Sequence, residues 1–448
     1  MRESRYNVWN YDGERVHVFN GVSGDVVPLT RAEADAARKF CQGDDLAEPG
    51  MTSTLSKLVQ SRVIVNDEFD EVAFLAQRYG ESRFDPQHLG LTIVTSLGCN
   101  FECPYCFEAK HPSLLQKDVS DAILGYVAAR ADNLKSISVS WFGGEPLLGL
   151  KSLGHLSDLF LRLCDSKEIQ YTARITTNGY LLDDRACAEL LRCRVSHVQV
   201  TLDGPKDLHD KMRPLVSGRG TFDRIIANLH RAAEQFTVDV RINVDSESFL
   251  RTEELLSYLQ AEGFAGRLNV YLAQLVDVSD FASAPSASYG VRCFNNGEFA
   301  EAERQFQDMA DRHGFGRAKL PRPLGAPCTA VRANDVVVGS RGELYKCYES
   351  IGNPSEVIGH ISDYKEPGSR AAKWLQYDPF SDPECTECIA LPVCMGGCAH
   401  HGLDASQYSN RCDTFRHTYQ EQVSRFAEKT PQGRVFIPLD AIRLEKAR

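Results

Sequence analysis

The sequence predicts an α/β protein: a core of alternating strands and helices, of parallel-sheet or barrel type, between a small α+β unit and a cysteine-rich C-terminal part. Three observations carry this prediction. Apolar or β-branched runs alternate with amphipathic stretches from residue 91 to residue 275, which is the pattern of repeated βα units. Residues 1–87 hold hairpin and helix-start signals instead. Seven cysteines crowd into residues 328–412. The 448 residues leave room for two or three domains of about 100 to 200 residues each. The 43% hydrophobic and 25% charged content is that of a globular protein able to bury a core.

In the first unit, YNVWNYDGERVHVFN (6–20) alternates around Asp12 and Gly13, a hairpin signal, and GDVVPL (24–29) offers a third strand. Thr30 is the N-cap for a helix over RAEADAARKFC (31–41). TSTLSKLVQS (52–61) reads as a second helix, RVIVND (62–67) as a strand and RFDPQHLG (83–90) as a linker. Three strands with two or three short helices make a winged-helix-like module.

Beyond the linker, strands are predicted at LTIVTS (91–96), SISVSWF (136–142), YTARIT (171–176), HVQVTL (197–202), TVDVRINV (237–244) and RLNVYLAQL (267–275). Helical stretches between them include SDAILGYVAARA, RACAELLRC and FDRIIANLHRAAEQF. Four polar motifs then fall at C-terminal strand ends. Cys99, Cys103 and Cys106 follow the first strand, Gly143-Gly144-Glu145-Pro146 the second, Thr177-Asn178-Gly179 the third and Asp203-Gly204-Pro205 the fourth. In β/α barrels these ends converge on the catalytic mouth, so motifs distant in sequence become neighbours.

Charge and hydropathy exclude other classes. A net charge of −11 gives no reason to expect nucleic-acid binding. The N-terminus has no apolar signal core, and no run approaches the roughly 20 apolar residues of a membrane span. A cytoplasmic protein without a membrane partner is expected. Fifteen cysteines in a reducing compartment then point to metal or redox use rather than to disulfides.

CNFECPYCFE (99–108) places three sulfurs within eight residues. A structural zinc would need a fourth ligand, for which His111 is nearest. A 4Fe-4S cluster held by three cysteines leaves one iron open to a small molecule. C-x3-C-x2-C with Tyr105 before the last cysteine resembles the signature of the radical S-adenosylmethionine (SAM) superfamily. That resemblance implies a partial (β/α)6 TIM-like barrel over residues 88–315, and SAM at the open iron.

The superfamily's GGEP motif matches Gly143, Gly144, Glu145 and Pro146, whose backbone and carboxylate would take the SAM ammonium. TLDGPKDLHDKMRP (201–214) is similar to a segment of the peptide- and protein-modifying branch. Its hydroxyl contact to SAM falls on Thr201, and its arginine pairing with the SAM carboxylate falls on Arg213. Asn178 and Asn243 are expected to line the same cavity, with a plain turn role as the alternative for either. No motif identifies a catalytic acid or base.

Gly342-x4-Cys347, then Cys385-x2-Cys388-x5-Cys394-x3-Cys398, then Cys412 resembles the SPASM domain, here residues 316–448, which carries auxiliary clusters. The family pattern implies one 4Fe-4S cluster on Cys385, Cys388, Cys394 and Cys412 and another on Cys328, Cys347 and Cys398, three clusters in all. The sequence departs from fully ligated members, because no cysteine follows shortly after Cys328. Either His400, His401 or Cys293 completes that cluster, or one iron is open to substrate, the option favoured here.

The winged-helix-like unit, residues 1–87, resembles the leader-recognition element of ribosomal peptide maturases, which bind a peptide by strand addition. The resemblance implies a maturase that cross-links a precursor peptide through a C–C or thioether bond, with flavodoxin or ferredoxin as electron donor. A sulfatase maturase that makes formylglycine is the enzymatic alternative. An electron carrier or peptide-binding scaffold without turnover is the alternative from another class.

Overall fold

The structure, a computed structural model, describes residues 1–43, 51–275, 285–288, 293–317, 319–363 and 368–434. The chain begins with β1 (Arg2–Glu3), β2 (Asn7–Asp12), β3 (Arg15–Asn20) and β4 (Val26–Thr30). Then come α1 (Arg31–Cys41), α2 (Met51–Gln60), β5 (Ile64–Val65) and α3 (Glu71–Arg83). β2, β3 and β4 form an antiparallel meander, and β1 pairs with β5. The hairpin turns at Gly13, whose φ of 59° costs a residue without Cβ little. Thr30 caps α1 as predicted, in a capping box with Glu33 that satisfies two orphan groups of the helix start.

The barrel elements follow in alternation, with two helices between the fourth and fifth strands. They are β6 (His88–Ser96), α4 (Lys117–Ala128), β7 (Ser136–Gly143), α5 (Leu150–Lys167), β8 (Gln170–Thr177), α6 (Asp184–Arg192) and β9 (Val195–Thr201). α7 (Lys206–Met212), α8 (Phe222–Gln235), β10 (Thr237–Val244), α9 (Thr252–Ala261), β11 (Asn269–Gln274) and α10 (Asn296–Arg312) complete the series. Strands β6 to β11 are parallel, each hydrogen-bonded to the next in chain order. The barrel is partial: on its other side β6 pairs in parallel with β12 (Val336–Val338), which β13 (Glu343–Tyr345) and β14 (Gly359–His360) extend antiparallel.

Two-sided burial explains the near-continuous apolar strands. Leu91, Ile93, Trp141, Ile175, Val198 and Val240 pack with Ile123, Phe160, Leu190, Leu229 and Leu255 in one buried core. Each such side chain contributes about 1.5 to 3 kcal/mol when fully buried.

The C-terminal elements are short: α11 (Ser369–Leu375), α12 (Pro383–Thr386), α13 (Leu391–Cys394), α14 (Ala399–Gly402), then the longer α15 (Phe415–Lys429). Two compact units result. One comprises residues 1–84, 317–328 and the chain from Tyr377 on, and the other residues 85–316 and 329–376. In the first, one face of the meander packs Val16, Val18 and Leu29 against Ala34, Ala37 and Leu58. Its opposite face packs Val8, Phe19 and Val26 against Ala390, Val393, Phe415, Val423 and Phe426. Among the described residues, no helix is long and apolar enough to cross a membrane.

Candidate functional site

β6 ends in a register shift between Val94 and Ser96. Such an irregularity bends a strand at its rim and redirects the chain, here into the loop that bears Cys99, Cys103 and Cys106. The loop is pinned by its own groups and by the segment after α7. Cys106 N donates to Cys103 O (3.3 Å), Glu102 N to Pro214 O (2.9 Å) and Val216 N to Asn100 O (3.0 Å). Burial pushes the Cys99 thiol up to about 11 and the Cys106 thiol up to about 12.

One cation stands beside them. Lys110 donates to Phe101 O (2.9 Å). Burial works to lower its ammonium, but the sulfurs of Cys106, Cys99 and Cys103 outweigh that and leave it raised. Glu108, two residues past Cys106, is fully enclosed, and burial lifts its carboxyl to about 7 against the pull of Lys110. Its Oε1 has no hydrogen-bond partner among the described residues.

The GGEP segment braces this loop through its backbone. Gly144 N donates to Ser96 O and Glu145 N to Gly98 O, both at 3.0 Å. Gly143 has φ +128°, and a Cβ there would stand 2.2 Å from Ser96 O, so no other residue fits. Glu145 turns inward. Its Oε1 accepts from Leu147 N (2.9 Å) and Thr177 Oγ1 (2.7 Å), and its Oε2 from Asn178 N (2.7 Å). The carboxylate therefore ties the end of β7 to the end of β8.

A second network joins the loop to the far strands. The Tyr105 hydroxyl donates to Asp203 Oδ2. It accepts from Arg213 Nη1 at 2.5 Å and from Asn243 Nδ2 at 3.2 Å. Arg213 Nη1 lies 3.7 Å from Asp203 Oδ2. Burial raises the Asp203 carboxyl, with the Arg213 charge opposing. His209 supports both ends. Asp203 N donates to its Nδ1 (3.2 Å), so its Nε2–H faces Thr221 Oγ1 (3.1 Å), whose hydroxyl donates to Arg213 O (2.8 Å). Arg213 Nε is buried without a partner among the described residues.

Of the residues expected at the SAM site, Tyr105, Arg213 and Asn243 are joined directly. Glu145 and Asn178 form the other group, with Asn178 Nδ2 3.8 Å from Cys99 Sγ and 2.8 Å from Asn100 Oδ1. Thr201 is the buried last residue of β9. Both asparagine amides are committed to the protein: Asn178 Oδ1 accepts from Tyr180 N (3.0 Å) and Asn243 Oδ1 from Arg241 Nε (2.8 Å). Sequence reasoning passed over Lys110, Glu108 and Asp203 as individual residues. Charged residues at buried positions next to the cysteine motif were the available signal.

These groups fit a cluster with an amino-acid ligand. Three thiols on one loop supply soft donors. A buried guanidinium Nε without a partner suits a carboxylate, and the unpartnered Glu108 oxygen suits an ammonium.

In the first unit, Cys385, Cys388, Cys394 and Cys412 lie around α12, α13 and the start of α15. Cys388 N donates to Cys385 O (3.1 Å), and Arg416 Nη1 lies 3.3 Å from Cys412 Sγ. Burial pushes the Cys394 thiol up to about 12, with the nearby Cys412 and Cys388 adding to it. Met395, Gly396 and Gly397 all have positive φ, and a Cβ on Gly397 would stand 1.9 Å from Arg411 O. That tight turn carries the chain from Cys394 to Cys398, whose N–H donates to Arg411 O (2.8 Å). Cys328 is exposed and also belongs to the first unit, whereas Cys347, buried after β13, belongs to the second.

The family model described as "Radical SAM superfamily" matches residues 93–259. A cysteine-type anaerobic sulfatase-maturating enzyme of Clostridium perfringens is 31% identical over 336 residues, which are 68% of this chain and 86% of the relative. The solved structure of native anSMEcpe with bound AdoMet and Cp18Cys peptide superposes with a TM-score of 0.58 at 18% identity, covering 76% of this chain and 99% of that one. Streptococcus suis SuiB bound to precursor peptide SuiA gives a TM-score of 0.53 at 14% identity, covering 92% of this chain and 99% of that one.

Proposed function

The chain belongs to the radical SAM superfamily, as an enzyme related to its maturases, and on that premise we propose that it installs an intramolecular C–C or thioether cross-link in a ribosomally made precursor peptide. SAM and a 4Fe-4S cluster are the cofactors this membership implies. When bound, they supply a 5′-deoxyadenosyl radical able to take a hydrogen atom from a substrate carbon.

Cys99, Cys103 and Cys106 hold the cluster. Lys110 offsets the charge of the thiolates. Arg213, aimed by Tyr105 and Asp203, binds the SAM carboxylate through its unpartnered edge. Glu145, whose oxygens accept three hydrogen bonds with acceptor capacity left on Oε2, takes the ammonium together with Glu108. Gly143 and Gly144 keep the rim narrow, and Thr201 lines it. Enclosure by these residues excludes water and keeps side reactions from the reacting carbon.

In the same proposal Cys385, Cys388, Cys394 and Cys412 hold one auxiliary cluster, and Cys328, Cys347 and Cys398 the other. Clusters held there would supply an acceptor for the electron that the substrate radical gives up. Flavodoxin or ferredoxin delivers the first electron. Residues 1–87 recognise the leader, residues 88–315 carry the chemistry and residues 316–448 carry the auxiliary clusters.

One observation carries the choice of substrate. The chain begins with a three-stranded antiparallel meander flanked by helices, and the fold of SuiB, solved with a precursor peptide, accounts for 92% of the chain against 76% for the sulfatase maturase. The 31% identity to a sulfatase maturase supports a second reading, oxidation of one Cys or Ser to formylglycine. Reduced, reconstituted enzyme incubated with SAM and, in parallel, with a candidate precursor peptide and a sulfatase-derived Cys or Ser peptide separates the two. A product lacking two hydrogens and inert to a hydrazine probe is the cross-link. A hydrazine-reactive product is the aldehyde, and the proposal then fails.

A further inference from the structure

The outer edge of β4 has one complete position for an added strand, and the chain's own C-terminal segment already stands in it. In the β3–β4 ladder Asn20 N donates to Asp25 O and Arg31 N to Glu14 O, each at 3.0 Å. Antiparallel pairs alternate between bonded and non-bonded, so Val26, Pro28 and Thr30 turn their backbone groups away from β3. Pro28 has no N–H. The Thr30 N–H is committed to Glu33 Oε2 at 2.8 Å. Of these three residues, Val26 alone presents both a donor and an acceptor to an incoming strand.

Residues 431–434 occupy that position. Arg434 N donates to Val26 O at 3.0 Å in an antiparallel bridge, and the His17 ring lies 3.2 Å from Pro431 O. Gly433, at φ +72°, passes so close that a Cβ would stand 2.5 Å from Pro28 Cδ and 2.7 Å from Val26 O. Asp25 Oδ2 is buried without a hydrogen-bond partner among the described residues; burial raises its carboxyl to about 7, with a Ser23 hydrogen bond and the Arg434 charge opposing. On the opposite edge, β2, the Gln420 amide of α15 bonds the Trp9 carbonyl at 2.8 Å. β4 is thus the edge on which strand-like pairing is realised.

We propose that residues 431–434 are an internal occupant of the β4 edge at Val26, the edge on which a leader-recognition element would receive its peptide. An extended segment of the precursor, with a basic residue opposite Val26 and beside Asp25, displaces them. The inference rests on the peptide-maturase proposal above.

The test uses the full-length chain and two full-length variants, Gly433→Val and Arg434→Pro, which lift the segment or remove its donor. The probe is a fluorescein-labelled synthetic peptide of the chain's own residues 429–438, KTPQGRVFIP. Both variants should bind the probe about three- to tenfold more tightly than the wild-type chain, the worth of one or two net backbone hydrogen bonds. A short peptide that serves as substrate in the assay above should gain by the same factor. Equal probe binding by all three chains overturns the proposal, as does a wild-type Arg434 amide that exchanges hydrogen at the unprotected rate. Tighter probe binding by the variants with no binding of a candidate precursor peptide to any chain upholds the occupied edge and overturns the maturase proposal instead.

Discussion

Replacing Tyr105 with Phe removes a single oxygen on which three buried side chains depend. The hydroxyl donates to Asp203 and accepts from Arg213 (2.5 Å) and Asn243 (3.2 Å). Asp203 and Arg213 side chains retain only 1% and 10% exposure, so water cannot replace it. Each lost hydrogen bond to a charged group costs about 1.5 to 3 kcal/mol. Closure of the 3.7 Å gap between Arg213 and Asp203 recovers part of that, and it would turn the guanidinium away from the SAM carboxylate that Arg213 is proposed to bind. Tyr105→Phe should therefore weaken SAM by about 1.5 to 3 kcal/mol, roughly 10- to 150-fold in Kd. Equilibrium dialysis against reconstituted enzyme measures this directly. Arg213→Ala should cost a similar amount, and the double variant little more than either single one, because both act on one contact. Wild-type SAM affinity in Tyr105→Phe, or strict additivity in the cycle, would refute the claim that the tyrosine acts by aiming the arginine.

Three further outcomes follow from the geometry. Replacing Cys99, Cys103 and Cys106 together with Ala should remove about four iron per chain and abolish SAM cleavage; residual 5′-deoxyadenosine formation contradicts the assignment. Gly143→Ala puts a Cβ 2.2 Å from Ser96 O at φ +128°, so it should cost at least about 2 kcal/mol and lower the iron content, read from the melting midpoint and an iron assay. Burial lifts the Asp25 carboxyl to about 7. Between about pH 4 and 7 the folded state keeps a proton that the unfolded state releases. Stability should fall as pH rises through that window, on the order of 2 kcal/mol after solvent screening. Asp25→Asn should flatten the slope, and an unchanged slope in urea titrations would count against the assignment to this group.

Local information was enough for much of the fold. The hairpin at Gly13, the cap at Thr30 and the βα alternation depend on spacing and propensity, which residues a few positions apart determine. Strands were placed to within a few residues for the same reason, and β10 coincides with TVDVRINV. The cysteine motif was legible because its three sulfurs lie within eight residues of one loop.

What tertiary structure alone decided depends on distant partners. Val8, Phe19 and Val26 bury against Phe415, Val423 and Phe426, nearly four hundred residues away, and no local pattern announces that pairing. Glu145 and Asn178 carry the residue types expected of cofactor contacts. Packing instead directs their polar atoms to strand ends and to Asn100, because a buried carboxylate or amide must be satisfied by whatever donor or acceptor the fold brings near. Sequence thus named the chemistry available at the barrel mouth. Only the folded chain determined which of those groups are already bonded within the protein and which, like Arg213 Nε and Glu108 Oε1, remain without a partner.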